Sequence, residues 1–210
     1  MRRIGELIIL QLIVLLALTS CAAPAAPPAD TVAPPADTVA PESGAVTIDF
    51  DFQKQSGHAS NQFAVWIEDA DGRFVKTLYA TKFTAAGGYK NRPDSIPEWT
   101  ARSGLADMTD VDAITGATPQ SGALKYTWDL TDADNVPVPD GTYMFFVEGS
   151  LRWKNSVMYI GEIEIGGEAA SATADEGLIF EASEDQPALN NSSAELGMIG
   201  PVTASYTPPS

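Results

Sequence analysis

This 210-residue chain has almost none of the thiol and imidazole side chains on which much covalent and transition-metal chemistry depends. Its only thiol is Cys21, and its only imidazole is His58, which we expect to be a solvated loop histidine. One Cys and one His exclude a disulfide framework, a zinc-ribbon site and a Cys/His dyad at ordinary separations. The sequence also lacks the Gly-x-Ser-x-Gly segment of serine hydrolases. We therefore expect a protein that is not an enzyme.

The sharpest short motif has Asp112, Thr115, Gly116, Ala117 and Thr118 at its defining positions. It resembles the acceptor pattern of proteins that carry covalent FMN, Asp-x-x-Ser/Thr-Gly-Ala-Ser/Thr. In those proteins a periplasmic flavin transferase links FMN by a phosphoester to the last hydroxyl, which corresponds to Thr118. The resemblance implies that Thr118 is the nucleophile and that Gly116 and Ala117 leave room for the transferase and the flavin phosphate. It also implies that Asp112 helps to place the hydroxyl or the metal of the transferase.

The same residues also suit a structural turn. Gly116 gives backbone freedom, the hydroxyls of Thr115 and Thr118 can cap local backbone groups, and Pro119 sets φ. In covalent-flavin domains further Thr or Ser residues and a helix follow the motif, whereas Pro119 here leads into a predicted strand. Both interpretations stay open, and the remaining residues indicate no pocket for the flavin ring.

Two aspartate-rich loops suggest calcium binding as a weaker alternative. Their carboxylates are Asp107, Asp110 and Asp112 in one loop, and Asp129, Asp132 and Asp134 in the other. The regular calcium loop also needs a central Gly and a terminal bidentate Glu, which are absent here. We expect most of these aspartates to form Asx turns, so no metal ligand is assigned.

Four tryptophans suggest a carbohydrate-binding platform as another weak alternative. They are Trp66, Trp99, Trp128 and Trp153. Trp66 points away from the face that carries Phe63, Val65 and Ile67, so one of these two faces must be the core. Packing in the core or at its rim is the expected role of these aromatic side chains.

The first segment is predicted to be a targeting signal rather than part of the folded domain. Arg2 and Arg3 precede an apolar run from Leu7 to Leu18, which is the pattern of a secretory signal and is too short to span a bilayer comfortably. The sequence Leu18-Thr-Ser-Cys21 resembles the lipobox of bacterial lipoproteins. That resemblance implies cleavage after residue 20 and lipidation of Cys21 with several acyl chains, which hold a protein stably on a membrane.

An Ala/Pro-rich linker follows Cys21 and extends to residue 43. It contains the repeat Ala-Pro-Pro-Ala-Asp-Thr-Val, at 26–32 with Ala26 as its first residue and again at 33–39 with Ala33 as its first residue. Such a segment cannot bury a core and favours an extended spacer of about 3 Å per residue. We expect residues 21–43 to form a disordered stalk, with the folded domain at 44–208.

The remainder alternates apolar and polar residues with the period of β-strands. Predicted strands cover Val46–Phe52, Phe63–Glu68, Phe74–Tyr79, Leu124–Leu130, Tyr143–Val147, Val157–Ile165 and Val202–Tyr206. Turn chemistry separates them at 69–72, 132–135 and 137–141. About seven short strands predict an all-β, Ig-like antiparallel β-sandwich.

Two segments interrupt this rhythm. Residues 80–122 form a long insertion, predicted to be a functional loop or lid with one or two helical turns near 97–105. Residues 166–197 are predicted to be a mobile acidic loop, with one strand-like island at 177–181.

Two family resemblances support this fold. The pattern Trp128-Asp129, Asp132 and Val138–Tyr143 resembles the Ig-like repeat of flagellar hook-capping proteins. A wider set of motifs resembles a bacterial family of predicted periplasmic proteins, domain of unknown function 2271, and occurs in the same order along the chain. These motifs are Val65–Asp69, Phe74–Leu78, Asp112–Pro119, the Trp128 segment and Glu195–Gly197. The resemblance covers about residues 46–206 and implies fold and compartment but no settled activity.

The favoured function is therefore a lipid-anchored, extracytoplasmic module of the cell envelope that binds or positions an unknown envelope protein without catalysis. The alternative is a covalent FMN carrier in envelope electron transfer, with FMN on Thr118 and a flavin transferase as partner. The net charge of −16 excludes a nucleic-acid partner, because phosphate binding needs clustered Lys and Arg. The acidity is uneven, since no Lys or Arg follows Lys154.

Overall fold

The computed structural model describes residues 43–56, 61–107, 114–152, 155–180 and 197–210. The chain divides into two units, Met1–Thr38 and Val39–Ser210, and all of the described residues belong to the second. The predicted signal peptide, Cys21, most of the linker, His58 and Asp112 lie outside the described residues. No helix among the described residues is long and apolar enough to cross a membrane.

The described strands form two sheets, which confirms the all-β sandwich. The four-stranded sheet has the order β5 (Gly122–Trp128), β1 (Ala45–Phe52), β10 (Thr203–Thr207), β8 (Ala170–Thr173). The six-stranded sheet has the order β4 (Thr115–Gly116), β3 (Phe74–Thr81), β2 (Gln62–Asp69), β6 (Gly141–Arg152), β7 (Asn155–Ile165), β9 (Asp175–Phe180). Neighbouring strands are antiparallel except β3 and β4, which are parallel.

Period-two alternation positions the core between the two sheets. From β1, β2 and β6 it receives Val46, Ile48, Phe50, Phe52, Phe63, Val65, Ile67, Tyr143, Phe145 and Val147. Their polar neighbours on β1 stay partly exposed, as a strand with one buried face requires. The seven predicted strands are confirmed, with ends that shift by a few residues.

The turns between these strands follow the predicted chemistry. Gly72 has φ +78° and its N–H donates to the Asp69 carbonyl at 3.0 Å, which closes the β2–β3 hairpin. Asn135 has φ +60° and its N–H donates to the Asp132 carbonyl at 3.1 Å. Small side chains that accept a left-handed backbone therefore stand where the chain reverses.

Much of the long insertion forms a third structural layer, outside the two sheets. Residues 82–107, named here the helical layer, contain α1 (Lys82–Ala85), α2 (Pro97–Arg102) and two 3-10 helices, Gly88–Lys90 and Leu105–Asp107. The predicted helical turns near 97–105 are confirmed. The layer covers the outer face of the six-stranded sheet, where it packs with Trp66, Phe146 and Met158.

This layer gives β2 two buried faces, whereas the sequence pattern required only one. Seven of the eight residues of β2 are buried, so both faces of the strand are covered. The inner face meets the four-stranded sheet, while Trp66 on the outer face meets the helical layer. Period-two alternation identifies two faces but does not show that a loop elsewhere in the chain buries the second.

The expectation of a mobile acidic loop at 166–197 is wrong for its first part. Residues 170–173 and 175–180 form β8 and β9, each at the edge of a different sheet. The island predicted at 177–181 is thus confirmed as a strand, whereas β8 was missed because its short Ala-Ser-Ala-Thr sequence has few large apolar residues. Residues 181–196 lie outside the described part of the chain.

Candidate functional site

The acceptor-like segment lies at one edge of the six-stranded sheet. Thr115 and Gly116 form β4, which pairs in parallel with Ala80 and Thr81 of β3. After Gly116 the chain continues to β5, which lies at the edge of the other sheet. The segment therefore joins the two sheets along one side of the sandwich.

Tyr79 holds the backbone of this segment. Its hydroxyl donates a hydrogen bond to the Ala117 carbonyl at 2.9 Å. A Cβ atom added to Gly116 would lie 2.7 Å from Tyr79 Cε2, closer than real contacts allow. Gly116 is thus required by the close approach of a tyrosine ring, which is a structural reason for the glycine in the motif.

Tyr79 belongs to an aromatic cluster that fills the space between the sheets. Its ring stacks on Phe63 at a centroid distance of 4.9 Å and lies 4.9 Å from the tilted ring of Tyr126 on β5. Burial raises the pKa of Tyr79 to about 12. Burial, with a smaller contribution from Tyr79, also raises the pKa of Tyr126. Both phenols therefore stay protonated at neutral pH, so the Tyr79 hydroxyl remains a hydrogen-bond donor.

Thr118 directly follows the segment that Tyr79 holds. Its side chain is partly exposed, and Ala117 before it is exposed. Within the described part of the chain, the Thr118 hydroxyl has no hydrogen-bond partner. Thr115 is partly buried as well, and its backbone pairs with that of Ala80 on β3. The structure thus brings Thr115, Gly116, Ala117 and Thr118 to one accessible edge, while the predicted Asp112 lies outside the described residues.

The structural-turn interpretation of this motif is wrong for residues 115–120. Thr115 and Gly116 form a strand, and residues 117–120 contain neither helix, strand nor turn. Gly116 also has no positive φ. Pairing with β3 keeps the backbone of Thr115 and Gly116 extended, although Gly and Pro nearby in the sequence favour a turn.

Asp129 and Asp132, two of the three aspartates of the second acidic loop, accept structural hydrogen bonds through their carboxylates. Asp132 Oδ1 accepts the N–H groups of Asp134 and Val136, both at 2.9 Å, which is an Asx-turn pattern. The Asp129 carboxylate accepts a hydrogen bond from the Lys76 ammonium group at 3.0 Å, and this contact links β3 to the end of β5. Among the described residues, no group of three or more His, Cys, Asp or Glu side chains is arranged to hold a metal ion. Asp110 and Asp112 are not described.

Three of the four tryptophans are fully buried, which confirms the expected core role for them. Trp66, Trp99 and Trp128 have no exposed surface, and each indole N–H donates a hydrogen bond inside the protein. Their ring faces are therefore closed to a sugar. Trp153 lies outside the described residues.

A shallow groove of about 490 Å³ lies at the opposite end of β3 from Tyr79, beside the β2–β3 hairpin. Its lining includes Asp69, Arg73, Phe74, Asp140 and Tyr143. The Arg73 side chain donates to Asp69 at 2.7 Å, so this charged pair is matched within the hairpin. Hydrogen bonds from Arg73 and from backbone N–H groups outweigh the partial burial of Asp69 and hold its pKa below its usual range. The groove lies between the β2–β3 turn and the segment that leads into β6.

Sequence reasoning missed two buried carboxylates, Glu68 and Glu148, of which Glu148 is the more deeply buried. Glu148 on β6 is fully buried under the helical layer. Its two oxygens accept the backbone N–H groups of Glu98 at 3.2 Å and Trp99 at 2.8 Å, in the first turn of α2. Burial raises its pKa to about 8, although these two hydrogen bonds act in the opposite direction. Glu148 lies on the opposite face of β6 from Tyr143, Phe145 and Val147, so the alternation predicts that it is exposed. It is buried because the helical layer covers that face.

Fold and site together define an all-β sandwich whose accessible sheet edge carries an acceptor-like Thr-Gly-Ala-Thr segment. The model of a family described as predicted periplasmic protein, domain of unknown function 2271, matches residues 44–178. The chain belongs to this family, which confirms the resemblance and indicates an extracytoplasmic location. No curated protein and no solved structure matches the chain significantly.

Proposed function

We propose that this protein is a lipid-anchored, non-enzymatic module of the cell envelope that carries FMN esterified to Thr118. The observation that carries the proposal is the presentation of the acceptor-like segment. A partly exposed threonine, whose hydroxyl has no partner in the described chain, follows an exposed alanine at a sheet edge.

The edge position is what a modifying enzyme needs. Among the described strands β4 pairs with β3 alone, and it is two residues long. An enzyme can approach the main chain from its unpaired side, where Gly116 and Ala117 offer little steric bulk. The residues present therefore fit attachment of FMN through its phosphate.

The attachment reaction needs one nucleophile from this chain. The Thr118 oxygen forms a bond to the FMN phosphorus of FAD, the phosphoanhydride bond breaks and AMP leaves, while the hydroxyl proton passes to a base of the transferase. The flavin then supplies reversible electron transfer, and this chain supplies its tether and position. No catalytic group of this chain is required, which agrees with the expectation that it is not an enzyme.

Coexpression of the whole chain with a flavin transferase and FAD tests the proposal. We expect a yellow protein that stays fluorescent after denaturation and has the mass of one added FMN. Thr118→Ala should be colourless, whereas Thr118→Ser should keep the flavin because it keeps a hydroxyl. Thr207→Ala, at an exposed threonine on β10 outside the acceptor-like segment, is the matched control and should be labelled like the wild type.

A colourless wild type, or flavin retained in Thr118→Ala, would exclude Thr118 as the attachment site. The same mass spectra measure the lipid on the predicted anchor. Acyl groups on an N-terminal Cys21 are expected after processing, and an unmodified N-terminus at another residue would contradict the anchor.

A further inference from the structure

We infer that Tyr79 is the positioning residue that presents Thr118 to the flavin transferase, an inference that rests on the proposed attachment of FMN. Tyr79 contacts the two residues immediately before Thr118. Its ring lies against Gly116, and its hydroxyl donates to the Ala117 carbonyl at 2.9 Å. Because that carbonyl belongs to the peptide group joining Ala117 to Thr118, the hydrogen bond fixes the plane from which Thr118 extends.

Tyr79 is itself held firmly. It lies on β3, and its neighbour Ala80 pairs with Thr115. Its ring stacks on the fully buried Phe63 at an interplanar angle of 27° and also contacts Tyr126. The Tyr79 ring is thus packed against the main core, while its hydroxyl reaches the exposed acceptor segment at the sheet edge. A rigidly held donor restricts the backbone conformation of the acceptor segment more than a flexible surface side chain does.

Restriction matters because a transferase must bind an irregular segment in one conformation. When only a fraction of molecules holds that conformation, the apparent affinity falls by the same fraction. Residues 117–121 form neither helix nor strand, so the backbone hydrogen bonds of β4 do not hold them. The hydrogen bond from the Tyr79 hydroxyl to Ala117 restrains this segment instead. Its raised pKa keeps this donor protonated throughout the physiological range.

Steady-state kinetics of FMN transfer to the purified full-length protein in detergent test the inference. Tyr79→Phe keeps the ring against Gly116 and removes only the hydroxyl. We expect KM for the acceptor protein to rise about 2- to 10-fold, the effect of losing one neutral hydrogen bond, with kcat unchanged. A purely stabilising role predicts a lower Tm at unchanged KM.

Tyr126→Phe is the matched control. This tyrosine is also partly buried and contacts Tyr79, but its hydroxyl has no hydrogen bond to the described residues of the acceptor segment. We expect its KM to equal that of the wild type. An unchanged KM for Tyr79→Phe, or an equal rise in both variants, would overturn the positioning role.

The two proposals fail in different ways. If neither the wild type nor Tyr79→Phe accepts FMN, the proposed function is wrong. If the wild type accepts FMN at Thr118 and Tyr79→Phe does so with the same KM, only the positioning role is wrong.

Discussion

Glu148 shows how a single residue can depart from its usual state. Strand β6 places its carboxylate on the outer face of the six-stranded sheet, and the helical layer excludes water from that face. Desolvation favours the neutral acid, while the N–H groups of Glu98 and Trp99 favour the carboxylate. Among nearby charges, Glu98 raises the pKa further and Arg102 lowers it. The result is a pKa of about 8, against a usual value of 4.5.

This shift predicts a pH-dependent stability. Between about pH 4.5 and 8 the folded state holds a proton that the unfolded state has lost, so the free energy of unfolding should fall as the pH rises. The slope from this one group reaches about 1 kcal/mol per pH unit. Urea unfolding of the wild type and Glu148→Gln at several pH values measures it.

The variant isolates the contribution of Glu148 from that of other groups. Glutamine has a similar shape but does not titrate. For Glu148→Gln, the plot of the free energy of unfolding against pH should therefore lack the slope due to Glu148 and keep the contributions of Asp69 and Asp129. Both of these carboxyls have lowered pKa values, so their stabilisation is lost only at acid pH. Parallel curves for the two proteins between pH 4.5 and 8 would contradict the assignment.

At the scale of elements, α2 shows how a short helix can be held by a sheet. With six residues, α2 is too short to be stable alone. Glu148 accepts its first N–H groups, and Arg102 near its end pairs with the buried Glu68 at 3.1 Å. The Arg102 guanidinium also lies 5.4 Å from the ring centre of Phe146. Contacts at both ends therefore tie the helix to the outer face.

Trp99 is the main apolar contact between α2 and the sheet. It is fully buried, and its indole N–H donates to Thr77 Oγ1 at 3.0 Å. Trp99→Ala should lower the free energy of unfolding by about 3–5 kcal/mol, because a large cavity and an unpaired hydroxyl remain. Urea denaturation measures this.

Phe83→Ala is a control in the same layer. Phe83 is 48% exposed, so its removal should cost no more than about 1 kcal/mol. Similar losses for the two variants would show that the helical layer does not contribute to the core.

At the scale of the whole molecule, the last described strand is central to the four-stranded sheet. β10 pairs with β1 on one side and with β8 on the other. Its residues Ala204 and Tyr206 are buried in the main core. The family match ends at residue 178, before this strand and inside β9.

A fragment of residues 44–178 should therefore not fold cooperatively. It exposes the ladder edges of β1 and β8 and loses the apolar contribution of β10. The chain 43–210 is the matched control and should show a sigmoidal urea transition with near-ultraviolet circular dichroism. A cooperative transition of the shorter fragment would contradict the structural need for β10.

Local patterns in the sequence predicted much of this protein. Apolar alternation in Val46–Phe52 and Phe63–Glu68 predicted strands with one inner face, and that face is the core. The turn residues Gly72 and Asn135 stand at the reversals. These predictions succeed because strand periodicity and turn conformations depend on neighbouring residues. The acceptor-like motif was also recognised in sequence, whereas its attachment chemistry and the Cys21 anchor stay predictions.

Only the tertiary structure decided what covers each surface. Residues 82–107 bury the outer face of β2, which makes Trp66 a core residue and leaves Glu148 without water. Tyr79 meets Ala117 across 38 residues of sequence, so no local pattern links them. Pairing with β3 likewise keeps Thr115 and Gly116 extended where their composition favours a turn. Burial and long-range pairing depend on which distant segments meet, and that is set by packing of the whole chain rather than by its local sequence.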